Sequence, residues 1–351
     1  MKKELLMASA LVSTLGVASV AQAVTATMAG SMKIGVEFES NDSSTTDSNT
    51  VMDQSNFNIS LSETTDGGTT ISTSFEIVDE GTVSADDDNA IKLTFTDGSA
   101  LELLNAGNAA GTHAAAVPGA SGEQGVGGTC TNNAPTGIDF AAGSTALGVE
   151  WHSAADFMAD GLKVSASFST DNGAAKAAAA RTENSWGVGA TYVTTAGDST
   201  VTISGGLADA EIATNGTQAS SDKGGFNVGV VAVTGDLTVG VGYGDGDTFV
   251  SSTTNGSNQE IDGSVTTAGI KYVTGDITLA LGMTSGEGKD GAFGTAGTTD
   301  DSMDSTSASV TYAVASGVSA VIGYTTVDAK NEAVNTTDDG SSWYIGASMS
   351  F

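Results

Sequence analysis

The 351-residue chain carries 42 acidic against 11 basic residues, a formal net charge of -31, and such a charge repels nucleic acid and anionic surfaces. Its single cysteine, Cys130, excludes an intramolecular disulfide framework. With 47 glycines and only two prolines, and with many Ser, Thr, Val and Asp residues, the composition favours strands and turns over packed helices.

The N-terminus has the order of a secretory signal. Lys2 and Lys3 precede an apolar run from Leu5 to Val20, and the small residues Ala21 and Ala23 form a cleavage site. We therefore expect residues 1–23 to be a signal peptide for export through the Sec pathway, and residues 24–351 to form one domain. No later window has the roughly 18 to 20 apolar residues of a transmembrane helix, so a membrane protein made from this chain would have to be a barrel.

Most of the remaining chain alternates between apolar and small or polar residues with a period of two, which predicts β-strands with two different surroundings. Strands with weaker alternation are expected near 99–104 and 146–152, and the total is about sixteen. The clearest segments are 28–38, 57–62, 71–77, 91–95, 162–168, 186–192, 226–230, 237–243, 277–283, 320–324 and 342–351.

The connections alternate between short and long. Short turns contain Gly and Asp, which supply the backbone angles of tight hairpins, and long polar loops lie between them; the medium-length segment 153–161 is an exception. Short turns on one rim and long loops on the other are typical of an outer-membrane barrel. The predicted fold is therefore all-β, an antiparallel transmembrane β-barrel with short periplasmic turns and long external loops.

Aromatic residues provide an independent indication. Alternation places twelve of them on the apolar faces, where they form two rings typical of lipid-facing girdles. The predicted outer ring is Phe38, Phe168, Trp186, Phe226, Tyr243, Tyr324 and Trp343, and the periplasmic ring is Trp151, Tyr192, Tyr272, Tyr312 and Phe351.

The last strand places Trp343, Ile345, Met349 and the terminal Phe351 on one face. It resembles the C-terminal strand of Gram-negative outer-membrane barrels, whose terminal aromatic is a signal for the barrel assembly machinery. Met349 departs from that pattern, because an aromatic residue is more usual there. With the signal peptide and the order of the loops, the chain resembles a general diffusion porin of the sixteen-stranded family, in the style of α-proteobacteria.

That resemblance implies a homotrimer in the lipid of the Gram-negative outer membrane, which allows passive diffusion of small hydrophilic solutes and ions. It also implies that the third external loop, residues 105–145, folds into the pore. In the family this loop usually carries carboxylates that face a cluster of arginines. Here the loop offers Glu123 and Asp139, with His113 and Cys130 as further polar candidates, and the only arginine, Arg181, falls in a predicted loop.

Lysines on the polar faces of different strands are the predicted basic wall of the constriction, and the expected acidic wall residues lie on the same faces. An alternative is that the lysines only neutralise neighbouring wall carboxylates. The basic set is Lys33, Lys92, Lys163 and Lys271, and the acidic set is Glu37, Glu76 and Glu150.

Acidic residues in the external loops predict a weak preference for cations, because carboxylates at a pore mouth concentrate cations. The run Asp86, Asp87 and Asp88 could hold a structural Ca²⁺, although a solvated acidic loop is the simpler interpretation. No other cofactor is expected.

Other classes of protein stay open. A substrate-selective outer-membrane channel is the nearest alternative, and a secreted calcium-binding adhesin or β-solenoid is more distant, because the Gly-Asp repeat at 242–247 occurs once. An enzyme is not expected, since His113 and His152 are the only histidines and neither lies in a nucleophile motif.

Overall fold

The computed structural model describes residues 24–41, 48–79, 91–103, 108–119, 147–170, 181–213, 221–251, 258–288, 301–331 and 336–351. These residues form sixteen strands and one short helix, α1 (Ala109–Thr112). The strands are β1 (Thr25–Asn41), β2 (Ser48–Thr64), β3 (Thr70–Asp79), β4 (Ile91–Thr94), β5 (Ala100–Leu103), β6 (Leu147–His152), β7 (Leu162–Thr170), β8 (Arg181–Ala196), β9 (Ser199–Ala213), β10 (Ser221–Thr234), β11 (Leu237–Ser251), β12 (Asn258–Thr274), β13 (Ile277–Gly288), β14 (Asp301–Ala315), β15 (Val318–Asn331) and β16 (Thr336–Ser350).

The strands form one closed barrel in which each pairs with its neighbours in sequence and β1 pairs with β16. The closing pair is antiparallel and in register from Ser31 opposite Ser350 to Asn41 opposite Gly340. A closed sheet leaves no unpaired edge, so the backbone hydrogen bonds are satisfied without water. The predicted antiparallel barrel is confirmed.

The tight turns lie where Gly and Asp predicted them. Glycines with positive φ occupy six short turns between paired strands and also end the longer connection between β6 and β7; they are Gly68, Gly98, Gly161, Gly197, Gly235, Gly275 and Gly317. In the β4–β5 turn, the amide and hydroxyl of Ser99 donate to Asp97 Oδ1 at 2.9 and 2.7 Å. These bonds hold the pKa of Asp97 below its ordinary value.

Several strands are longer than their alternation predicted. The polar sequence of residues 245–262 predicts one of the long loops, yet β11 and β12 remain paired as far as Ser251 opposite Asn258. Alternation requires lipid on one face and water on the other, and it ends where both faces meet water. Hydrogen bonding between strands continues beyond that point, so the pattern underestimates strand length.

The outward face is apolar along most of the barrel and includes the predicted aromatic rings. In the outer ring Phe168 is 52% and Trp343 49% exposed, and in the opposite ring Tyr312 is 49% exposed. Tyr324 packs on Trp343 with ring centroids 4.4 Å apart. Such exposure of large apolar side chains indicates a lipid-facing surface. Among the described residues, no helix is long and apolar enough to cross a membrane.

Candidate pore constriction

Residues 108–119, called here the docked segment, lie inside the barrel. They contain α1, which contacts β7, β8 and β9, and the side chains of Ala109 and Ala110 are fully buried. The docked segment belongs to the predicted loop 105–145 and follows β5. The described part of that loop therefore folds inward, as the resemblance implied.

The start of α1 is fixed by its cap and by the wall. Asn108 Oδ1 accepts from the amide of Ala110 at 3.0 Å, and Ser167 Oγ on β7 accepts from the amide of Ala109 at 2.9 Å. The first amides of a helix have no partner within the helix, so both bonds satisfy groups that would otherwise need water. On the other side of the segment, Asn227 Nδ2 of β10 donates to the carbonyl of Ala110 at 2.9 Å.

The end of α1 is held by a wall carboxylate. Thr112 Oγ1 donates to Glu150 Oε1 at 2.7 Å, and Glu150 is only 2% exposed. A hydrogen bond to a buried carboxylate is stronger than one between neutral groups, because the charge has lost most of its water. Glu150 was predicted as a pore-lining acid, and in the structure it binds the docked segment.

His113 and His152 share one serine. Ser165 Oγ lies 2.9 Å from His113 Nε2 and 2.9 Å from His152 Nδ1, while His113 Nδ1 lies 2.7 Å from Thr191 Oγ1. A hydroxyl can donate one proton and accept another. With both rings neutral, Ser165 can donate to one histidine and accept from the other.

A chain of polar contacts continues from His152 along the wall. His152 Nε2 lies 3.4 Å from Glu102 Oε1, and Lys92 Nζ lies 2.7 Å from the same oxygen. Lys92, Glu102 and three serines of β2 and β3 line a recess of about 250 Å³. This pairing agrees with the alternative that Lys92 neutralises a neighbouring wall carboxylate.

The other predicted wall residues are spread around the barrel. Lys33, Lys163 and Lys271 lie on β1, β7 and β12, with Lys163 and Lys271 exposed to the lumen. Glu37 is fully buried on the inner face of β1. Glu76 pairs with Asn58 in the β2–β3 register, and its side chain lies outside the described residues.

Several predicted sites fall outside the described residues, namely Glu123, Asp139, Cys130, and the proposed calcium ligands Asp86, Asp87 and Asp88. Within the part of the chain that is described, no group of three or more His, Cys, Asp or Glu side chains is placed to hold a metal ion.

The residues that sequence reasoning missed are Thr112, Ser165, Thr191, Asn227 and Glu102. Each is a small or polar residue on a predicted inner face or in the loop, and dozens of others share that pattern. Only strand register brings the first four together around His113 and α1 and places Glu102 beside His152, so no local signal in the sequence could have separated them.

At the seam of the barrel, the terminal strand packs against β1. The amide of Gly30 donates to the carbonyl of Phe351, and the amide of Phe351 donates to the carbonyl of Gly30, both at 3.0 Å. The ring of Phe351 lies directly over Gly30 and occupies the space that a β-carbon on Gly30 would need.

A closed sixteen-stranded barrel with a lipid-facing exterior, a polar interior and a loop segment against its inner wall defines an outer-membrane channel. The sequence profile of the Gram-negative porins matches residues 8–351. The chain belongs to the Gram-negative porin family, and the family and fold indicate the Gram-negative outer membrane and a channel rather than an enzyme.

Solved structures show the same fold at low identity. A porin structure refined at 1.8 Å resolution is 18% identical, with a TM-score of 0.64, 93% of this chain covered and 100% of that one. An anion-selective porin from Comamonas acidovorans is 12% identical, with a TM-score of 0.65 and coverage of 93% and 100%. The trimer form of OmpT from Vibrio cholerae is 14% identical, with a TM-score of 0.62 and coverage of 94% and 100%. No curated protein matches the chain.

Proposed function

We propose that this protein is a general diffusion porin that passes small hydrophilic solutes and ions and weakly prefers cations. The observation that carries the proposal is the docked segment, which lies against the inner wall of a closed barrel and so narrows a lumen lined by serines, lysines and carboxylates. Passive flow through such a lumen needs no conformational cycle and no cofactor.

The expected cation preference rests on charge. The chain carries 42 acidic against 11 basic residues, and one of the lysines expected to line the pore, Lys92, is paired with Glu102. A net negative field at the mouth and in the lumen concentrates cations and depletes anions.

Reversal potentials of the purified protein in planar bilayers, under a gradient of potassium chloride, test this proposal. We expect potassium to be roughly 2- to 10-fold more permeant than chloride, with the ratio falling as salt screens the charges. A chloride-selective channel contradicts the cation preference. A protein that inserts without conducting contradicts the proposal of a diffusion pore.

We propose a homotrimer, since one related structure is described as the trimer form of that protein; chemical crosslinking of the purified protein would report the number of chains. Three further predictions remain. N-terminal sequencing of the exported protein would test whether residues 1–23 are a Sec-dependent signal peptide, and crosslinking in cells would test contact with the barrel assembly machinery. Calorimetric titration would test binding of Ca²⁺ at Asp86, Asp87 and Asp88.

The proposed assembly signal can be separated from the strand that carries it. Phe351→Ala keeps the two backbone hydrogen bonds to Gly30 and removes only the ring that covers it. We expect a lower yield of heat-modifiable barrel in the outer membrane, and normal conductance of the barrels that form. Trp343→Phe is the control, because it keeps an aromatic side chain in the outer aromatic ring. A normal yield from Phe351→Ala would mean that the ring is not an assembly signal.

A further inference from the structure

Glycines line the inner wall beneath the docked segment. They occur on β8, β9, β10, β11 and β12, and neighbouring strands place them opposite one another. Gly189 pairs with Gly206, Gly229 with Gly242, and Gly240 with Gly269. Outward residues alternate with them along each strand, so all face the lumen. We call the set the glycine groove: Gly187, Gly189, Gly206, Gly229, Gly240, Gly242 and Gly269.

At the end nearest α1, the groove leaves no room for side chains. A β-carbon on Gly187 would lie 2.8 Å from Asn108 Oδ1, and one on Gly206 would lie 2.8 Å from the β-carbon of Ala110. A β-carbon on Gly189 would lie 2.7 Å from His113 Cδ2. Carbon contacts are favourable only at about 3.5 to 4.0 Å. At Gly189 and Gly206 an added methyl would also collide with backbone atoms of Ala109 and Ala110, so it would have to displace the segment, whereas at Gly187 the neighbours are side-chain ends of Asn108 and Ser167.

The other end of the segment fits the groove in the same way. A β-carbon on Gly240 would lie 2.8 Å from Pro118 Cδ, and one on Gly242 would lie 3.3 Å from Val117 Cγ2. A β-carbon on Gly229 would collide with that of Ala115, and one on Gly269 would collide with the carbonyl of Pro118.

A simpler explanation is that these glycines only help the strands to bend. If a glycine only allows bending, a β-carbon on it should meet the neighbouring strand. The outward-facing Gly205 is such a case, because the atoms nearest to a β-carbon there belong to the backbone of the next strand, at Asn227 and Val228.

In the groove, by contrast, the nearest atom at Gly229 is the β-carbon of Ala115 and the nearest at Gly269 is the carbonyl oxygen of Pro118, both in the docked segment. The carbonyl oxygens of the next strands, at Val241 and Leu281, lie further away, at 2.8 and 3.2 Å. The seven positions span five adjacent strands and follow the path of residues 108–118.

We propose that the glycine groove sets the aperture of the pore, with Gly229 and Gly269 as positioning residues that let the docked segment lie directly against the backbone of the wall. A side chain at either position moves the segment towards the middle of the lumen and narrows the channel. The inference rests on the proposed diffusion function, since an aperture matters only for a protein that conducts.

The test is a cycle of three variants measured as single-channel conductance and as the size limit for sugars in liposome swelling. Gly229→Ala adds the methyl that meets the β-carbon of Ala115. We expect conductance to fall by roughly 20 to 50% and the size limit to decrease. Ala115→Gly removes the opposing methyl and is expected to conduct like the wild type. The double variant Gly229→Ala with Ala115→Gly is expected to recover most of the lost conductance, because the closest contact that remains is with the carbonyl oxygen of Val241 in the wall, at 2.8 Å.

Ser319→Thr is the matched control, because it adds one methyl to the inner face of β15, five strands away from β10 around the barrel. We expect it to leave the conductance unchanged. Folding is followed by heat-modifiable migration. If Gly229→Ala alone fails to fold, recovery of both folding and conductance in the double variant supports the proposal.

The proposal is overturned if folded Gly229→Ala conducts like the wild type, if the double variant does not recover, or if Ser319→Thr lowers conductance equally. Failure of the proposed function gives a different result, because the wild-type barrel itself would then not conduct.

Discussion

The two ends of the docked segment are held by different means. Residues 108–113 bind the wall through hydrogen bonds with Ser167, Glu150, Thr191, Ser165 and Asn227. Residues 115–118 make no hydrogen bond to the wall among the described residues and fit against backbone that glycine leaves bare. The polar end therefore depends on particular partners and their protonation, and the apolar end depends on shape alone.

This difference predicts two kinds of failure. Loss of a hydrogen-bond partner at the polar end leaves a buried polar group unsatisfied, so the segment should detach intermittently. Added volume at the apolar end displaces the segment to a new fixed position. The first should appear as fluctuation of the open-channel current and the second as a lower steady current.

The largest expected effect at the polar end comes from Thr112→Val. It removes the hydroxyl that donates to buried Glu150, and a carboxylate left without its donor costs about 1.5 to 3 kcal/mol. We expect hydrogen exchange at the amides of Thr112 and His113 to accelerate by roughly 10- to 150-fold. Current noise should rise while the mean conductance stays near that of the wild type.

Thr112→Ser keeps the hydroxyl and loses only a methyl, so it is expected to behave like the wild type in both measurements. If Thr112→Val lowers the steady current without added noise, the two ends do not differ in the way described. The same conclusion would follow if the serine variant exchanged as fast as the valine variant.

The barrel itself could be predicted because its signals are local. Alternation with a period of two reflects lipid on one face of a strand and water on the other. Gly and Asp mark the tight turns, and aromatics at the strand ends mark the boundary between lipid and water. β4 and β5, with four residues each, still lay within segments that alternation predicted. In residues 245–251, where apolar and polar residues do not alternate, the same signal fails and strand length is underestimated.

The constriction could be predicted only in part. The length of loop 105–145 and its resemblance to the family indicated an inward fold, and charge pointed to Glu150 and Lys92. Their roles depend on register, which places Lys92 opposite Glu102 and Glu102 opposite Glu150. The glycine groove could not be predicted from the sequence either. A glycine that makes room for a loop and a glycine that allows a strand to bend occupy the same positions in the alternating pattern.

Acid should act on the polar end alone, with a smaller effect than Thr112→Val. When His113 and His152 are both protonated, every ring nitrogen is a donor, and Ser165 can then only accept from both. The two imidazolium groups would face each other across one oxygen, beside Lys163 on β7. Glu102 and Glu150 oppose this by stabilising the charge on His152, at 3.4 and 3.8 Å.

Burial lowers the pKa of His113 from its ordinary value, so the docked segment is favoured with a neutral His113 ring. This stabilisation is lost as the pH falls below about 6.5, the ordinary value of an exposed histidine, and we expect the current noise to rise there. The mean conductance should change little, since residues 115–118 carry no titratable side chain. His113→Gln replaces the imidazole ring by an amide, which can still donate and accept hydrogen bonds but does not titrate. This variant should therefore lose most of the acid response. If that variant responds to acid as the wild type does, the response arises elsewhere in the barrel, and the shared serine is not what makes the polar end sensitive to protons.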